Sequence, residues 1–325
     1  MRLLLTGGLS RAGIALALSW SRRGHVVTVA ERTERLDAGA LRALWRRRPL
    51  LELGSAPAET LRKAAAHADA LVLIGDSQES AWDVDLTLAA LDAAGMGLHP
   101  MPIIRLADLP ARAGAEDECI HVRHGLASFR DLPHGIPEER TLQSLDEADR
   151  AFRIAATIRD APAVLLRSAE ILDPSLLEGG IHGVAQRWIY ELADDPEASS
   201  ALHGDTTFDL VSAELVCEAI EHAAHRAARL RGRCYHIGGG SRARASAQNL
   251  AETLAGALVG DRPPAPRFLG SVPAAHVLDD ARSRAELEIH STLDAPSLVE
   301  RVFRSLRRAK AMPSSRASMP FPATA

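Results

Sequence analysis

The sequence predicts an α/β protein built on a doubly wound parallel sheet with a smaller C-terminal lobe. Three observations predict it. The apolar runs RLLLT, HVVTVA and ALVLIGD are continuous rather than alternating, as strands covered by helices on both faces require. Helix-like stretches separate them, and the first run ends in a glycine turn that opens a helix. The chain has 325 residues, 46% hydrophobic and 25% charged, enough to bury a large core in one domain or two.

Taken in order, residues 2–30 read as strand, turn, helix and strand: RLLLTGG, an apolar helix through Ile14, Leu16, Leu18 and Trp20 that stops at Gly24, then HVVTVA. That order makes a βαβ unit with a parallel pair. A helix-like stretch from Ala58 to His67 leads into the strand ALVLIGD over 70–76. A helix from Val84 to Ala94 ends at Gly95, and MPIIRLA, from Met101, is the next strand. The segment from Asp108 to Glu139 is rich in proline, glycine and histidine. It reads as a loop region on the active-site side, with one short strand at CIHVRH.

A helix over 141–158 precedes the strand PAVLLRSAEI. After a variable stretch over 179–200 come a long helix from Ser212 to Leu230, a short strand RCYHIG and the turn Gly238–Gly240. The following helix, from Ser246 to Leu258, has Ser246 to cap it and Gly260 to end it. The last helix, Leu298 to Arg308, is amphipathic through Leu298, Val302, Phe303 and Leu306, and residues 309–325 read as a disordered tail. The βα alternation of the first half makes a Rossmann-type doubly wound sheet the economical architecture.

The composition narrows the function. A net charge of −4 argues against general nucleic-acid binding, which needs a basic excess to neutralise phosphates. The basic runs Arg46–Arg48 and Arg226, Arg229, Arg231 and Arg233 fall at predicted helix ends, where positive charge suits the carbonyl end of the dipole. Cys119, Cys217 and Cys234 stand in no metal-ligand spacing, which points to a reduced, cytoplasmic setting. The leading apolar run is too short for a signal peptide or a membrane span. No nucleophile elbow, H-E-x-x-H or phosphate loop of the G-x-x-x-x-G-K type is present, so hydrolase, metalloenzyme and nucleotidase readings lack support.

The glycine turn is Thr6, Gly7, Gly8, Leu9, Ser10, Arg11, Ala12 and Gly13, between the first strand and its helix. Gly7 can make the tight turn, Gly13 can let the helix pack close to the sheet, and the helix start can hold a pyrophosphate on its N–H groups. Ser10 stands where a third glycine is usual, at the position of closest backbone approach to the phosphates. Glu31, at the end of the second strand, can accept from the adenosine ribose hydroxyls and favours NAD, whereas Arg32 beside it could face the 2′-phosphate of NADP.

Together these segments resemble the extended short-chain dehydrogenases, the NAD-dependent epimerase/dehydratase family. TGGLSRAG resembles the family's TGGxGxxG, ADALVLIGD the strand beside adenine and ribose, and DVDLTLAALDAAGM the helix before the fifth strand. AVLLRSAEILDP is similar to the R-P-x-x-x-x-G-P segment, and RCYHIGGGSRARASAQNLAETLAGAL to the Y-N-I-G-G-G stretch with its helix. The resemblance implies an NAD(P)-binding domain over 1–172 and a mainly substrate-binding lobe over 173–308, from which 205–240 returns to the core. It implies cofactor contacts at Gly7, Gly13 and Glu31 and, more loosely, at Leu9, Arg11, Gly75 and Ser168. It also implies the homodimer common in the family.

The family's catalytic pair is absent. Its Y-x-x-x-K motif falls on TLQSLDEADRAF, where Thr141 takes the tyrosine position, Leu145 the lysine position, and Asp149 matches an acidic residue later in the helix. The chain has two tyrosines, Tyr190 and Tyr235, neither with a lysine four residues on, and its lysines are Lys63 and Lys310. A threonine hydroxyl is too weak an acid to replace a phenol near neutral pH. In the 108–139 loop region, His124 or His134 could supply the general base, since imidazole titrates in the right range. Glu170, His182 and Gln186 follow the LLRSAE strand on the substrate side. The expected function is an atypical NAD(P)-dependent oxidoreductase, epimerase or dehydratase acting on a small polar metabolite, nucleotide-sugar-like ones included. The alternatives are a non-catalytic dinucleotide-binding sensor or scaffold, and a non-redox isomerase or cyclase.

Overall fold

A computed structural model describes residues 1–8, 10–32, 50–53, 57–74, 80–95, 101–108, 149, 151–174, 184–194, 199–200, 202–257, 266–268, 275–276, 280–290 and 293–311. Its central sheet is made of β1 (Arg2–Thr6), β2 (Val26–Arg32), β3 (Leu50–Leu53), β4 (Ala70–Ile74), β5 (Ile103–Asp108), β6 (Ala163–Ser168) and β10 (Cys234–Ile237). All seven run parallel, in the order β3-β2-β1-β4-β5-β6-β10. The chain steps outward from β1 through β2 to β3, then returns to the other side of β1 for β4 and β5. The carboxyl ends of β1 and β4 therefore flank the topological switch point, where such sheets bind ligands.

The doubly wound sheet expected from the sequence is thus the one observed, with one strand more than the apolar runs identified. β3 is four residues long at the sheet edge, and so short a run carries no period.

Helices cover both faces. α1 (Arg11–Arg22) and α6 (Ala213–His225) pack on the face built from Leu3, Leu5, Val29, Val72, Leu106 and Leu166. α2 (Pro57–Ala65), α3 (Ser80–Gly95) and α4 (151–158) pack on the opposite face, on Leu4, Leu71, Leu73, Ile103 and Leu165. The strict alternation of odd and even strand residues between the two clusters is the period of two expected of extended chain. It explains why β1 and β4 are apolar along nearly their whole length.

The helix expected from Ser212 to Leu230 is divided. Ser212 caps it, its Oγ accepting from the N–H of Leu215 at 3.1 Å, but Arg226 leaves helical geometry (φ −112°, ψ 7°), and a second short helix, α7 (Ala227–Leu230), follows. Beyond β6, a second sheet joins β7 (Glu170–Ile171), β9 (Thr207–Val211), β11 (Arg244–Ser246) and β13 (Ala275–His276), and a two-stranded pair joins β8 (Ser199–Ser200) and β12 (Arg267–Phe268). α5 (Val184–Asp194), α8 (Ala247–Ala257) and α10 (Ala295–Ala311) enclose a separate core of Leu172, Trp188, Phe208, Leu250, Leu254 and Phe303, with Trp188 stacked on Phe208 at 6.4 Å.

α10 is longer at both ends than its apolar stripe suggested. Asp294 accepts from the N–H of Ser297 at 2.7 Å and starts the helix before Leu298. That hydrogen bond holds the Asp294 carboxyl below its ordinary pKa. The helix continues through Ala311, inside the segment expected to begin the tail. α9 (Ala281–Leu287) lies against β10.

Candidate cofactor and substrate site

The turn after β1 is closed by contacts that exclude side chains. Gly7 has φ +67°, and a Cβ there would lie 2.6 Å from the carbonyl oxygen of Ile74, at the carboxyl end of β4. A Cβ on Gly13 would lie 2.4 Å from the Gly7 oxygen. The first turn of α1 is thereby pressed onto the strand end at the switch point.

Ser10 sits at the N-cap in extended geometry, with its hydroxyl folded back into the turn. Its Oγ donates to Gly7 O at 2.5 Å and accepts from the Gly13 N–H at 3.1 Å. The residue in the usual glycine position therefore serves as a helix cap, and one first-turn N–H is taken by the protein itself.

Glu31, one residue before the end of β2, is 2% exposed and in register with Glu52 of β3, so it is no solvated strand end. Ser168 ends β6 in register with Asp108 and Ile237, and its Oγ is buried with no hydrogen-bond partner. Thr6 Oγ1, at the end of β1, is in the same condition. Unmatched hydroxyls at the carboxyl edge, beside a glycine cradle and a helix start, fit a polar ligand lying along that edge. The backbones of Arg11 and Arg32 belong to α1 and β2. Leu9, Gly75, His124, His134, Thr141, Leu145 and His182 lie outside the described residues.

Glu170 lies in β7, two residues beyond the end of β6, and is 8% exposed. Its Oε2 accepts from the Ala185 N–H at 3.1 Å and its Oε1 from the Gln186 N–H at 3.0 Å, which caps the start of α5. Gln186 is fully buried, with neither Oε1 nor Nε2 hydrogen-bonded. Glu170 and Gln186 are thus brought together at one helix start.

The sequence reading did not connect Arg105, Arg167, Asp149 and Thr87. Arg105 donates from Nε to Asp149 Oδ1 at 2.7 Å and from a terminal nitrogen to Thr87 Oγ1 at 3.0 Å. Arg167 donates from Nε and a terminal nitrogen to Asp149 Oδ2, at 3.1 and 2.9 Å. All four residues are buried. Through Asp149 they tie the approach to α4 to α3, to the middle of β5 and to the end of β6. The signal available in the sequence was an arginine inside each of two apolar strands, since a charge in a buried strand demands a partner.

Of the two tyrosines and two lysines, Tyr235 and Lys63 do not supply the missing pair. Tyr235 is buried in β10 with its hydroxyl donating to Glu286, and burial followed by that hydrogen bond pushes its pKa up. Lys63 is exposed on α2 and paired with Glu59 at 2.8 Å. Burial pushes the thiols of Cys217 and Cys234 up as well, so neither is an activated nucleophile. Among the described residues, no group of His, Cys, Asp and Glu could hold a metal ion.

The turn Gly238–Gly240 follows β10 and is braced from both sides. Asp209 accepts from the Gly239 N–H at 2.7 Å, and Arg284, paired with Asp280 at 2.6 Å, donates to the Gly238 oxygen at 2.9 Å.

No family model and no curated protein sequence matches the chain. Solved structures match over nearly its whole length. A UDP-glucose 4-epimerase from Thermotoga maritima, solved with UDP-glucose, is 16% identical with a TM-score of 0.69, over 95% of this chain and 100% of that one. A UDP-glucuronic acid 4-epimerase from Bacillus cereus, solved with UDP-glucuronic acid and NAD, is 15% identical with a TM-score of 0.67, over 95% and 100%. A UDP-glucose 4-epimerase from Brucella ovis, solved with NAD, is 17% identical with a TM-score of 0.67, over 95% and 98%. The chain has the fold of these epimerases. That is the fold implied by the resemblance to the extended short-chain dehydrogenases. Likeness at such identities is one of architecture, and the chemistry must be argued from the chain's own residues.

Proposed function

We propose that the chain binds NAD at the turn between β1 and α1 and acts as an atypical oxidoreductase, epimerase or dehydratase on a small polar metabolite. The observation that carries this is the glycine cradle, in which Gly7 and Gly13 press the start of α1 onto the end of β4 while Glu31 stands at the end of β2. In this reading Gly7, Leu9, Ser10, Arg11, Gly13, Gly75 and Ser168 surround the cofactor. Glu31 accepts from the ribose hydroxyls, which selects NAD, and Arg32 is the residue through which NADP could be accommodated. Bound NAD would supply a hydride acceptor or donor, while the chain orients it and moves the proton.

With Thr141 in place of the phenol, His124 or His134 acts as the base. Glu170, His182 and Gln186 form the substrate side, with the domain division at 172/173 between the two halves. The protein works in the cytoplasm as a homodimer. Support for the dimer is the outward face of α4, where Ile154 and Ile158, one turn apart, are 55% and 78% exposed. No described helix is long and apolar enough to cross a membrane.

The test is calorimetric titration with NAD, NADH, NADP and NADPH, with Glu31→Ala as control. Micromolar binding of one nucleotide, lost in the variant, supports the reading, and binding of none removes it. A second reading is favoured by one observation, the threonine and leucine at the positions of the tyrosine and lysine. A non-catalytic relative would bind the dinucleotide as a sensor or scaffold. It would change oligomeric state or partner affinity on binding, without hydride exchange.

A further inference from the structure

Gly8, Ser10 and Gly13 stand at the three glycine positions of the spacing G-x-G-x-x-G. Those positions serve different ends. The outer two make the tight turn and its close packing, and the middle one lets the backbone approach a pyrophosphate. In this protein the outer two are enforced by the chain itself. A Cβ on Gly8 would lie 2.4 Å from a methyl carbon of Val29 in β2, and one on Gly13 would lie 2.6 Å from the Gly8 Cα. Ser10 fills the position whose reason is the ligand.

Ser10 is half-buried, and its hydroxyl is committed to the turn. Oγ donates to the Gly7 oxygen at 2.5 Å and accepts from the Gly13 N–H at 3.1 Å, while the Ser10 N–H donates to the same Gly7 oxygen at 3.0 Å. These bonds close the turn with the protein's own groups and cap the helix start. Thr6, the residue before Gly7, keeps a buried hydroxyl without a hydrogen-bond partner, as does Ser168. Polar groups for a ligand therefore remain along this edge, and what has changed is how closely the backbone can be approached.

We propose that Ser10 makes the dinucleotide an exchanging ligand. Its Cβ holds the pyrophosphate off the backbone of the turn, and its hydroxyl keeps the start of α1 capped between one nucleotide and the next. The nucleotide is then taken up and released, and does not stay with the chain. This inference rests on the NAD reading above.

The experiment uses the full chain and its Ser10→Gly and Ser10→Ala variants, titrated by calorimetry with NAD, NADH, NADP and NADPH after melting curves have confirmed folding. Binding by none of the three proteins removes the NAD reading and this inference with it. Ser10→Gly should bind at least about tenfold more tightly than the wild type, one hydrogen bond's worth of affinity. Ser10→Ala keeps the Cβ and loses the cap, so it should bind no more tightly than the wild type and should melt below both other proteins. A folded Ser10→Gly that binds no better overturns the proposal and leaves the NAD reading in place, as does a Ser10→Ala that gains as much as Ser10→Gly. Should Ser10→Gly fail to fold, gel filtration of the NAD-loaded wild type decides. Nucleotide separated from the protein on the column supports the proposal, and one NAD carried through with each chain overturns it.

Discussion

Two helices of this protein are each held at the sheet through one acidic residue that meets two arginines, one of them on the helix itself in the case of α9, and the two pins differ chiefly in their access to water. Asp149, two residues before α4, lies between Arg105 and Arg167, with side-chain exposures of 4%, 0% and 7%. Glu286 of α9 lies between Arg233 and Arg282, with exposures of 29%, 43% and 45%, and also accepts from the Tyr235 hydroxyl. Contact distances are of the same order in both. What differs is the cost of breaking them. Removing one member of a buried set leaves a charge with nothing to solvate it, whereas water replaces a lost partner at the surface.

The largest effect should therefore come from Asp149→Ala. It takes the shared carboxylate from two buried guanidinium groups, and a loss of about 3–5 kcal/mol is expected from comparable buried pairs. Glu286→Ala should cost less, because water can reach both of its arginines. Urea denaturation of the two variants measures both. Equal losses would show that burial does not separate the two pins. Because the helix expected over 141–158 would carry both Thr141 and Asp149, a folded Asp149→Asn should lose turnover more than NAD affinity.

α1 is attached by a third means, contact without charge. Gly13→Ala sets a methyl group 2.4 Å from the Gly7 oxygen and 2.6 Å from the Gly8 Cα, both backbone atoms that cannot swing aside. Overpacking of this kind costs about 1–3 kcal/mol, between the two ionic cases. It should also abolish dinucleotide binding in calorimetry. Unchanged affinity would mean that the cradle is only a tight turn.

The wet pin should show itself in acid. Its hydrogen bond from Tyr235, followed by the arginines, holds Glu286 at about 2, against an ordinary value of 4.5. A depressed carboxylate stabilises the fold fully above its unfolded pKa and loses that contribution as pH falls through the folded one. The melting temperature should therefore fall more steeply between about pH 4.5 and 2 in the wild type than in Glu286→Gln. Tyr235→Phe, which removes the first of those causes, should lessen the slope. Identical slopes in all three proteins would show that Glu286 does not carry the acid response.

The two pins also mark what could be read in the sequence. Most strands of the sheet were legible because burial on both faces makes them largely apolar, and the turn after β1 because glycine is the residue such closeness demands. Arg105 and Arg167 stood in plain view inside MPIIRLA and AVLLRSA. Their common partner is 44 residues from the first and 18 from the second, and no local period links such distances. Glu170 was legible as a candidate by its place after β6, but not its engagement with α5, because a cap borrowed from another element leaves no cap residue at the helix start. β3 was lost for a simpler reason, being a short edge strand without a pattern.

The smallest effect on the protomer belongs to the side of α4 that faces away from its pin. Ile154 and Ile158 lie on one exposed face, and neither contributes to the core. Ile158→Glu should leave protomer stability within about 0.5 kcal/mol, as surface substitutions do. If that face is covered by a second copy, the same change buries a charge at the interface and converts a dimer to a monomer, which sedimentation velocity would show as a halved mass. A wild type that sediments as a monomer at micromolar concentration would leave α4 with one structural task, the one Asp149 performs from inside.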